Sequence, residues 1–221
     1  MSDIQQMLRD IEMDVNYTRG MIGREALDSR VMEAMKVVPR HEFIPSGARH
    51  QAYCNGPLPI GHGQTISQPY IVALMTDLLE PTAEDVVLEV GTGSGYQAAV
   101  LSQVVRQVYT LEIIESLSQR AAETLRRLGY RNVECRVDDG YDGWPEQAPF
   151  DGIIVTAASP NIPQPLVDQL KPGARLVMPI GMPYAHQELM VVEKLDAGEI
   201  SVREVLGVAF VPLTRQRLRD E

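Results

Sequence analysis

The chain has 221 residues, and 20 Lys and Arg residues against 30 Asp and Glu residues give a formal net charge of −10. With 44% hydrophobic and 23% charged residues, the composition is that of a globular protein and excludes a disordered or fibrous chain. The acidic balance argues against a broad nucleic-acid surface, because phosphate contacts need clustered Lys and Arg. The Arg residues between Arg215 and Arg219 are interpreted as a solvated, partly frayed tail.

The cysteines and the first residues indicate the cellular compartment of the protein. Cys54 and Cys135 cannot build a disulfide framework and lack metal-ligand spacing, so we expect both to be buried, reduced thiols. No apolar run approaches the length of a bilayer span. Residues 1–16 are acidic, whereas a secretory signal begins with a basic and then an apolar stretch. The sequence therefore predicts a cytoplasmic protein with neither a metal nor a membrane partner.

The first eighty residues are predicted to be mostly helical. Apolar residues at helical spacing from Ile4 to Ile11 indicate an amphipathic N-terminal helix. A second helix is predicted over 29–38, capped by Asp28 or Ser29 and stopped by Pro39. The stretch 40–69 is rich in Gly and Pro but carries buried-type side chains, which favours a long loop that packs on the core. Helical spacing resumes at Tyr70.

From residue 86 onward, short apolar runs alternate with helical spacing. The predicted strands cover 86–90, 108–111, 133–137, 150–156, 175–180, 189–195 and 201–211. A helix is predicted near 165–170 and is broken by Lys171, Pro172 and Gly173. This alternation predicts an α/β fold with a doubly wound, mainly parallel sheet and helices on both faces. The closing pair of strands, joined by a turn at 196–199, suggests an antiparallel edge strand. We expect a single domain, with 1–80 as an N-terminal helical extension and covering loop and 81–221 as the core.

A glycine loop stands between the first strand and the next helix. Gly91, Gly93 and Gly95 allow a tight turn and a close approach of the backbone to a ligand. Glu112 ends the following strand, where a carboxylate can accept hydrogen bonds from both hydroxyls of a ribose. The placement of the loop strengthens a nucleoside-binding interpretation. A tight turn without a ligand remains the alternative.

The type of nucleoside follows from the residues around the loop. Its spacing is G-x-G-x-G, whereas dinucleotide enzymes have G-x-G-x-x-G. Glu89 precedes the loop and would repel a pyrophosphate, but it suits a ligand with an ammonium group. These features favour S-adenosylmethionine over NAD. Asp139 ends the third strand and is placed to accept from the adenine amino group, with an ordinary Asp-Gly turn as the alternative.

Several segments carry a resemblance to a known family. They are LPIGHGQTISQPY at 58–70, VLEVGTGSGY at 87–96, APFDGIIVTAA at 148–158, LKPG at 170–173 and FVPL at 210–213. With these segments the chain, from about residue 5 to 215, resembles bacterial protein-L-isoaspartate O-methyltransferases. Many methyltransferases share the glycine loop, but the QTISQP segment is much more specific to this family.

The resemblance implies an activity and a set of site residues. The family transfers a methyl group from S-adenosylmethionine to the free α-carboxylate of L-isoaspartyl residues in damaged proteins and peptides, releasing S-adenosylhomocysteine. Loss of the ester re-forms a succinimide and begins repair. Ser67 is implied at the reacting site. The implied cofactor-binding residues are Gln64, Thr65, Ile66, Ser67, Glu89, Gly91, Gly93, Glu112, Ile113, Asp139 and Gly140. The implied peptide-binding residues are Thr65, Ile66, Val211, Pro212, Leu213 and Thr214, whose backbone could pair with an extended substrate.

The implied reaction makes modest demands on side chains. A carboxylate is already ionised at neutral pH, so positioning rather than a general base is needed. The Ser67 hydroxyl is expected to orient that carboxylate, or alternatively to cap the helix from Tyr70 onward. Methylation of another small-molecule or peptide carboxylate is the alternative activity. An RNA methyltransferase, an NAD-dependent oxidoreductase and a non-catalytic binding module are less favoured.

Overall fold

The computed structural model describes residues 3–182 and 185–215. The helices are α1 Asp3–Ile22, α2 Ser29–Val37, α3 Pro69–Leu78, α4 Tyr96–Leu101, α5 Glu115–Leu128 and α6 Gln164–Asp168. The strands are β1 Leu58–Gly61, β2 Gln64–Ile66, β3 Val86–Val90, β4 Gln107–Glu112, β5 Val133–Val137, β6 Phe150–Val155, β7 Leu170–Gly181, β8 Gln187–Lys194 and β9 Ile200–Val208. Short 3₁₀ turns cover Arg40–Phe43, Ser46–Gln51, Pro145–Gln147 and Asp196–Gly198.

The central sheet has seven strands in the order β5-β4-β3-β6-β7-β8-β9. The pairs from β5 to β7 are parallel, and β8 and β9 add antiparallel strands at one edge. The chain leaves β3 towards β4 on one side and returns to β6 on the other. This reversal of strand order creates a crevice at the carboxyl ends of β3 and β6, where open α/β sheets bind their ligands.

Both faces of the sheet are covered, as the apolar strands require. One core cluster joins the sheet to the N-terminal helices, and a second lies on the other face around Phe150, Leu166 and Leu176. Strand residues such as Leu88 and Ile154 are fully buried. Tyr96 at the start of α4 packs edge-on against Phe43 and reaches the sulfur of Met35 in α2. The N-terminal extension therefore shares one core with the sheet.

Residues 40–69 are more ordered than the predicted loop. After two 3₁₀ turns, β1 and β2 form an antiparallel hairpin with Leu58 opposite Ile66. Gly61, His62 and Gly63 turn this hairpin with φ values of 97°, 55° and 71°. Strands of three and four residues are too short to give a periodic pattern, so the sequence did not reveal them.

Expectations about the two cysteines and about the bounds of two strands need correction. Cys54 is exposed rather than buried, and Cys135 is only partly buried. β7 begins at Leu170, so the residues that stop the helix already belong to a strand, and β9 ends at Val208 rather than at 211. Arg215 is exposed, as expected for a solvated tail, and its guanidinium lies 4.5 Å from the ring centre of Tyr141. Arg217 and Arg219 lie outside the described residues.

Candidate active site

The glycine loop turns the chain away from the sheet at the end of β3. Gly91, Gly93 and Gly95 have φ values of 99°, 52° and 86°, a region that favours glycine. A Cβ on Gly91 would lie 2.4 Å from the hydroxyl oxygen of Thr156, which follows β6. That hydroxyl donates to the carbonyl of Gly91 over 2.6 Å. The ends of β3 and β6 are thus fixed to each other at the crevice.

Glu112, at the end of β4, holds the same loop from the other side. Its Oε2 accepts from the N–H of Gly93 at 2.8 Å, and its Oε1 accepts from the N–H of Ile114 at 3.0 Å. The residue is 7% exposed. A carboxylate has about four acceptor positions, so both oxygens can still accept from a ligand. Glu112 therefore shapes the loop and offers acceptors to the space above it.

That space is an open cleft of about 550 Å³, called here the glycine cleft. Its predicted lining residues are Gln64, Thr65, Gly91, Gly93, Glu112, Ile113, Gly140, Val211, Pro212, Leu213 and Thr214. Val90, Leu111, Ile114, Thr156 and Ala157 complete it. Among the described residues that line the cleft, none is Lys or Arg. The cleft therefore suits a nucleoside better than a phosphate-bearing dinucleotide.

Glu89 lies deeper, in a smaller cavity of about 310 Å³ that we call the inner cavity. The side chain is fully buried in β3, and its Oε2 accepts from the hydroxyl of Thr110. Burial is the main reason that the pKa of Glu89 rises to about 8, with the charge of Glu112 adding to the rise. In the free protein the carboxyl is therefore largely protonated at neutral pH. A cation in the inner cavity would favour its ionised form.

Ser67 lies between the inner cavity and a wider groove of about 990 Å³, called here the serine groove. Ile66 lines the inner cavity beside it. Thr65 and Thr156 line all three spaces, so the glycine cleft, inner cavity and serine groove meet at these two residues. Within the described part of the chain, the Ser67 hydroxyl has no hydrogen-bond partner. It is therefore available to a ligand.

The alternative role of Ser67 as a helix cap is wrong. Helix α3 has Gln68 at its N-cap, with no capping hydrogen bond from that side chain. The backbone N–H of Tyr70 instead donates to the side-chain oxygen of Asn55 at 3.2 Å. Because Pro69 occupies the first helical position, the chain needs fewer capping partners there.

Residues 210–214 separate the glycine cleft from the serine groove. The buried Gln187 side chain accepts from the N–H of Phe210 at 2.7 Å and donates to its carbonyl at 3.1 Å. Ala158 bonds the carbonyl of Val211 and the N–H of Leu213, both at 2.8 Å. Pro212 has no N–H. Most of these backbone groups therefore already have hydrogen-bond partners within the chain. Fewer of them than expected are free to pair with the backbone of a substrate.

Asp139 is the predicted cofactor-binding residue that lines neither the glycine cleft nor the inner cavity. Its Oδ1 accepts from the N–H of Tyr141 at 2.9 Å, which forms a local turn, and it does not line the glycine cleft. Its neighbour Gly140 does, and a Cβ there would lie 2.3 Å from a methyl carbon of Val90. The Asp-Gly turn is thus present, and an adenine contact of Asp139 stays a prediction.

Thr156 is the main residue that the sequence reasoning missed. It borders every part of the site and holds Gly91 in place. The available signal was a polar residue directly after the apolar residues 153–155, at the carboxyl end of a strand beside the predicted glycine loop.

The comparisons with known proteins decide the family. The model of the protein-L-isoaspartate(D-aspartate) O-methyltransferase family matches residues 19–218. The chain is 64% identical over 214 residues to protein-L-isoaspartate O-methyltransferase 2 of Nitrosococcus oceani, covering 97% of both chains. The chain belongs to the protein-L-isoaspartate O-methyltransferase family. A second member, from Polaromonas, is 57% identical and is covered over its full length, against 96% of this chain.

Solved structures agree with this membership. A protein-L-isoaspartate O-methyltransferase structure superposes with a TM-score of 0.81 at 27% identity, over 95% of this chain and 65% of that one. A Plasmodium falciparum structure described as this type of enzyme in complex with S-adenosyl-L-homocysteine gives a TM-score of 0.75 at 26% identity, over 94% and 98%. The predicted doubly wound, Rossmann-like methyltransferase fold is confirmed. Members of this family use S-adenosylmethionine and act on isoaspartyl proteins.

Two further observations concern this family member's described residues, 3–182 and 185–215. No group of three or more His, Cys, Asp or Glu side chains could hold a metal ion there. No helix in the same ranges is both long and apolar enough to cross a bilayer.

Proposed function

We propose that this chain methylates the free α-carboxylate of L-isoaspartyl residues in damaged proteins and peptides, with S-adenosylmethionine as donor. The observation that carries the proposal is the meeting of the three spaces at Thr65 and Thr156, beside Ser67. A nucleoside in the glycine cleft and a peptide in the serine groove would face each other there. In the product ester the following backbone amide nitrogen would attack the ester carbonyl and release methanol, which re-forms a succinimide that water opens partly to normal aspartate.

The residues of the glycine cleft and inner cavity fit the methyl donor. Glu112 offers carboxylate acceptors for ribose hydroxyls, and Ile113 and Gly140 border the same cleft. Glu89 faces the inner cavity, where an amino-acid ammonium would find a carboxyl able to ionise. S-adenosylmethionine supplies an electrophilic methyl group when bound. We assign Gln64, Thr65, Ile66, Ser67, Gly91 and Gly93 to the same binding site. Asp139 precedes Gly140 of the cleft, and we assign it to the adenine amino group.

The chain's task towards the substrate is orientation. The carboxylate is ionised at neutral pH, so no side chain has to remove a proton. The Ser67 hydroxyl donates one neutral hydrogen bond, which fixes the carboxylate oxygen without strongly reducing its nucleophilicity. A cationic partner would reduce it more, and the described residues lining the inner cavity include no Lys or Arg. Holding reacting atoms in a near-attack geometry can lower a barrier by several kcal/mol.

The serine groove accounts for a peptide substrate. It is wide and open, and its far wall is formed by residues 207–211 with His186 at the rim. Val211, Pro212, Leu213 and Thr214 stand between this groove and the glycine cleft, so they would contact both the peptide and the donor. An open groove explains tolerance of varied flanking residues. Selection of isoaspartate over aspartate would depend on the reach of the carboxylate to Ser67.

The expected setting is the cytoplasm, with neither a nucleic acid nor a membrane as partner. Cys54 and Cys135 are free thiols, which suits a reducing compartment. The net charge of −10 opposes binding to phosphate backbones and to anionic lipid surfaces.

A matched pair of peptides tests this function. The protein is incubated with S-adenosylmethionine and peptides that differ only in isoaspartyl or aspartyl linkage, and base-labile methyl esters are measured. We expect esters on the isoaspartyl peptide alone. If the protein binds S-adenosylhomocysteine but forms no ester on either peptide, the assignment of the donor site stands. The methyl acceptor would then be another carboxylate.

A further inference from the structure

Arg40 is a fully buried charged side chain that the reaction above does not use. It begins the 3₁₀ turn after α2 and is 0% exposed. Its Nε donates to the carbonyl of Ala52 at 2.9 Å, and its Nη2 donates to the carbonyls of Ser67 at 2.8 Å and Gly56 at 3.4 Å. One guanidinium thus joins three separate parts of the chain, including the backbone of Ser67.

Among residues 3–182 and 185–215, the charge of Arg40 has no acidic counterpart. Within the described residues no carboxylate forms an ion pair with it, and its Nη1 has no hydrogen-bond partner. The guanidinium also lies over the face of Tyr96, whose ring centre is 4.8 Å from the guanidinium carbon. Burial lowers the pKa of Arg40, as expected for a desolvated cation. A buried, unpaired charge costs folding free energy, so a stability role alone explains it poorly.

The location of Arg40 suggests what it provides instead. Tyr96 follows Gly95 directly and lines the inner cavity together with Ser67. Arg40 therefore lies behind two walls of that cavity, one carrying Ser67 and one continuing the glycine loop. A guanidinium is planar and holds several acceptors in a fixed geometry, which a flexible ammonium does not do.

We propose that Arg40 is a positioning residue that fixes the backbone of Ser67 relative to the glycine loop, so that the Ser67 hydroxyl meets the substrate carboxylate in a defined place. This inference rests on the proposed function, since it assigns Arg40 to the same reaction. It acts through Ser67 and does not contact the substrate itself.

Hydrogen exchange tests the structural half of the inference without any need for activity. Amide exchange is compared in the wild-type protein, Arg40→Lys and Arg40→Met, with Leu166→Ala as control. Leu166 is fully buried on the opposite face of the sheet, so its truncation destabilises the fold without touching Ser67. We expect both Arg40 variants to exchange faster in peptides covering 52–56 and 64–71, Arg40→Lys less so. Unchanged exchange there in both variants, or the same pattern in Leu166→Ala, would overturn the inference.

A double-mutant cycle tests the catalytic half. Initial rates with the isoaspartyl peptide are measured at a temperature where every variant is folded. Arg40→Met should lower kcat roughly three- to tenfold, about as much as Ser67→Ala, with little change in the KM for the peptide. The affinity for S-adenosylhomocysteine should stay within about twofold of wild type. In the combined variant kcat should match Ser67→Ala alone, because Arg40 acts through that residue.

The outcomes separate this inference from the proposed function. If the fold-losses in kcat of the two single variants multiplied in the combined variant, Arg40 would act independently of Ser67. That result would overturn the positioning role. Arg40→Lys keeps the charge, so wild-type kcat in that variant would also overturn it. If the wild-type protein forms no ester, the proposed function fails, while the exchange pattern still decides whether Arg40 holds the Ser67 segment.

Discussion

Replacing Glu89 by Gln should stabilise the free protein and weaken binding of the methyl donor. Glu89 is fully buried, and its pKa is raised from 4.5 to about 8, mainly by that burial. In the unfolded chain the carboxyl loses its proton near its ordinary pKa. In the folded protein it keeps the proton until the pH reaches about 8. Folding therefore binds a proton between these values, and the stability of the wild type falls as the pH rises through this interval.

The size of the effect follows from the same pKa. A rise from 4.5 to about 8 corresponds to about 5 kcal/mol, at about 1.36 kcal/mol for each unit of pKa. Glu89→Gln has a similar shape and stays neutral, and the hydroxyl of Thr110 can rotate to suit it. The variant should therefore gain stability relative to wild type from pH 5 to pH 8 and little more above that.

Thermal unfolding between pH 5 and pH 8.5 measures this difference. Glu123→Gln serves as control, because Glu123 lies on the exposed face of α5. Calorimetry with S-adenosylhomocysteine at pH 8 measures the second effect, where loss of a charged acceptor should weaken binding by about ten- to a hundredfold. A stability difference that does not change with pH would refute the reasoning about burial. Unchanged affinity would refute the ammonium contact.

Three further substitutions test the site. Ser67→Ala removes one neutral hydrogen bond, so it should lower kcat/KM for the isoaspartyl peptide by roughly three- to tenfold. Titration with S-adenosylhomocysteine should show unchanged affinity. Equal losses in kcat/KM and in this affinity would make Ser67 a structural residue. Glu112→Gln keeps one acceptor oxygen for two backbone N–H groups, so we expect roughly ten- to a hundredfold weaker binding in the same titration. Wild-type affinity would contradict the ribose contact. Gln187→Leu leaves the backbone of Phe210 without partners, so steady-state kinetics should show a higher KM for the peptide with little change in donor affinity. An unchanged KM would separate residues 210–214 from the peptide site.

The parallel core was predictable because buried strands leave a strong local pattern. The predicted ranges 86–90 and 133–137 coincide with β3 and β5, and the glycine loop stands where its spacing placed it. Two apolar runs joined by a short turn at 196–199 also indicated the antiparallel edge. These features depend on neighbouring residues, so one sequence suffices to find them.

The contacts that shape the site were harder to predict, because they join distant parts of the chain. The bond from Arg40 to the carbonyl of Ser67 spans 27 residues, and the one from Thr156 to Gly91 spans 65. Gln187 holds Phe210 across a β-hairpin. Each side chain binds backbone atoms, which any residue provides, so no sequence pattern marks the partner. The hairpin of β1 and β2 was not predicted, because strands of four and three residues are too short to show a periodic pattern.

Following the fate of one peptide tests the central claim most directly. A purified isoaspartyl peptide is incubated with the protein and S-adenosylmethionine over many turnovers, and chromatography separates it from its aspartyl isomer. We predict that the isoaspartyl form declines, that a succinimide forms, and that the aspartyl form accumulates only when both protein and donor are present. An isoaspartyl peptide that stays unchanged while the donor is consumed, or that isomerises equally without it, would contradict the account.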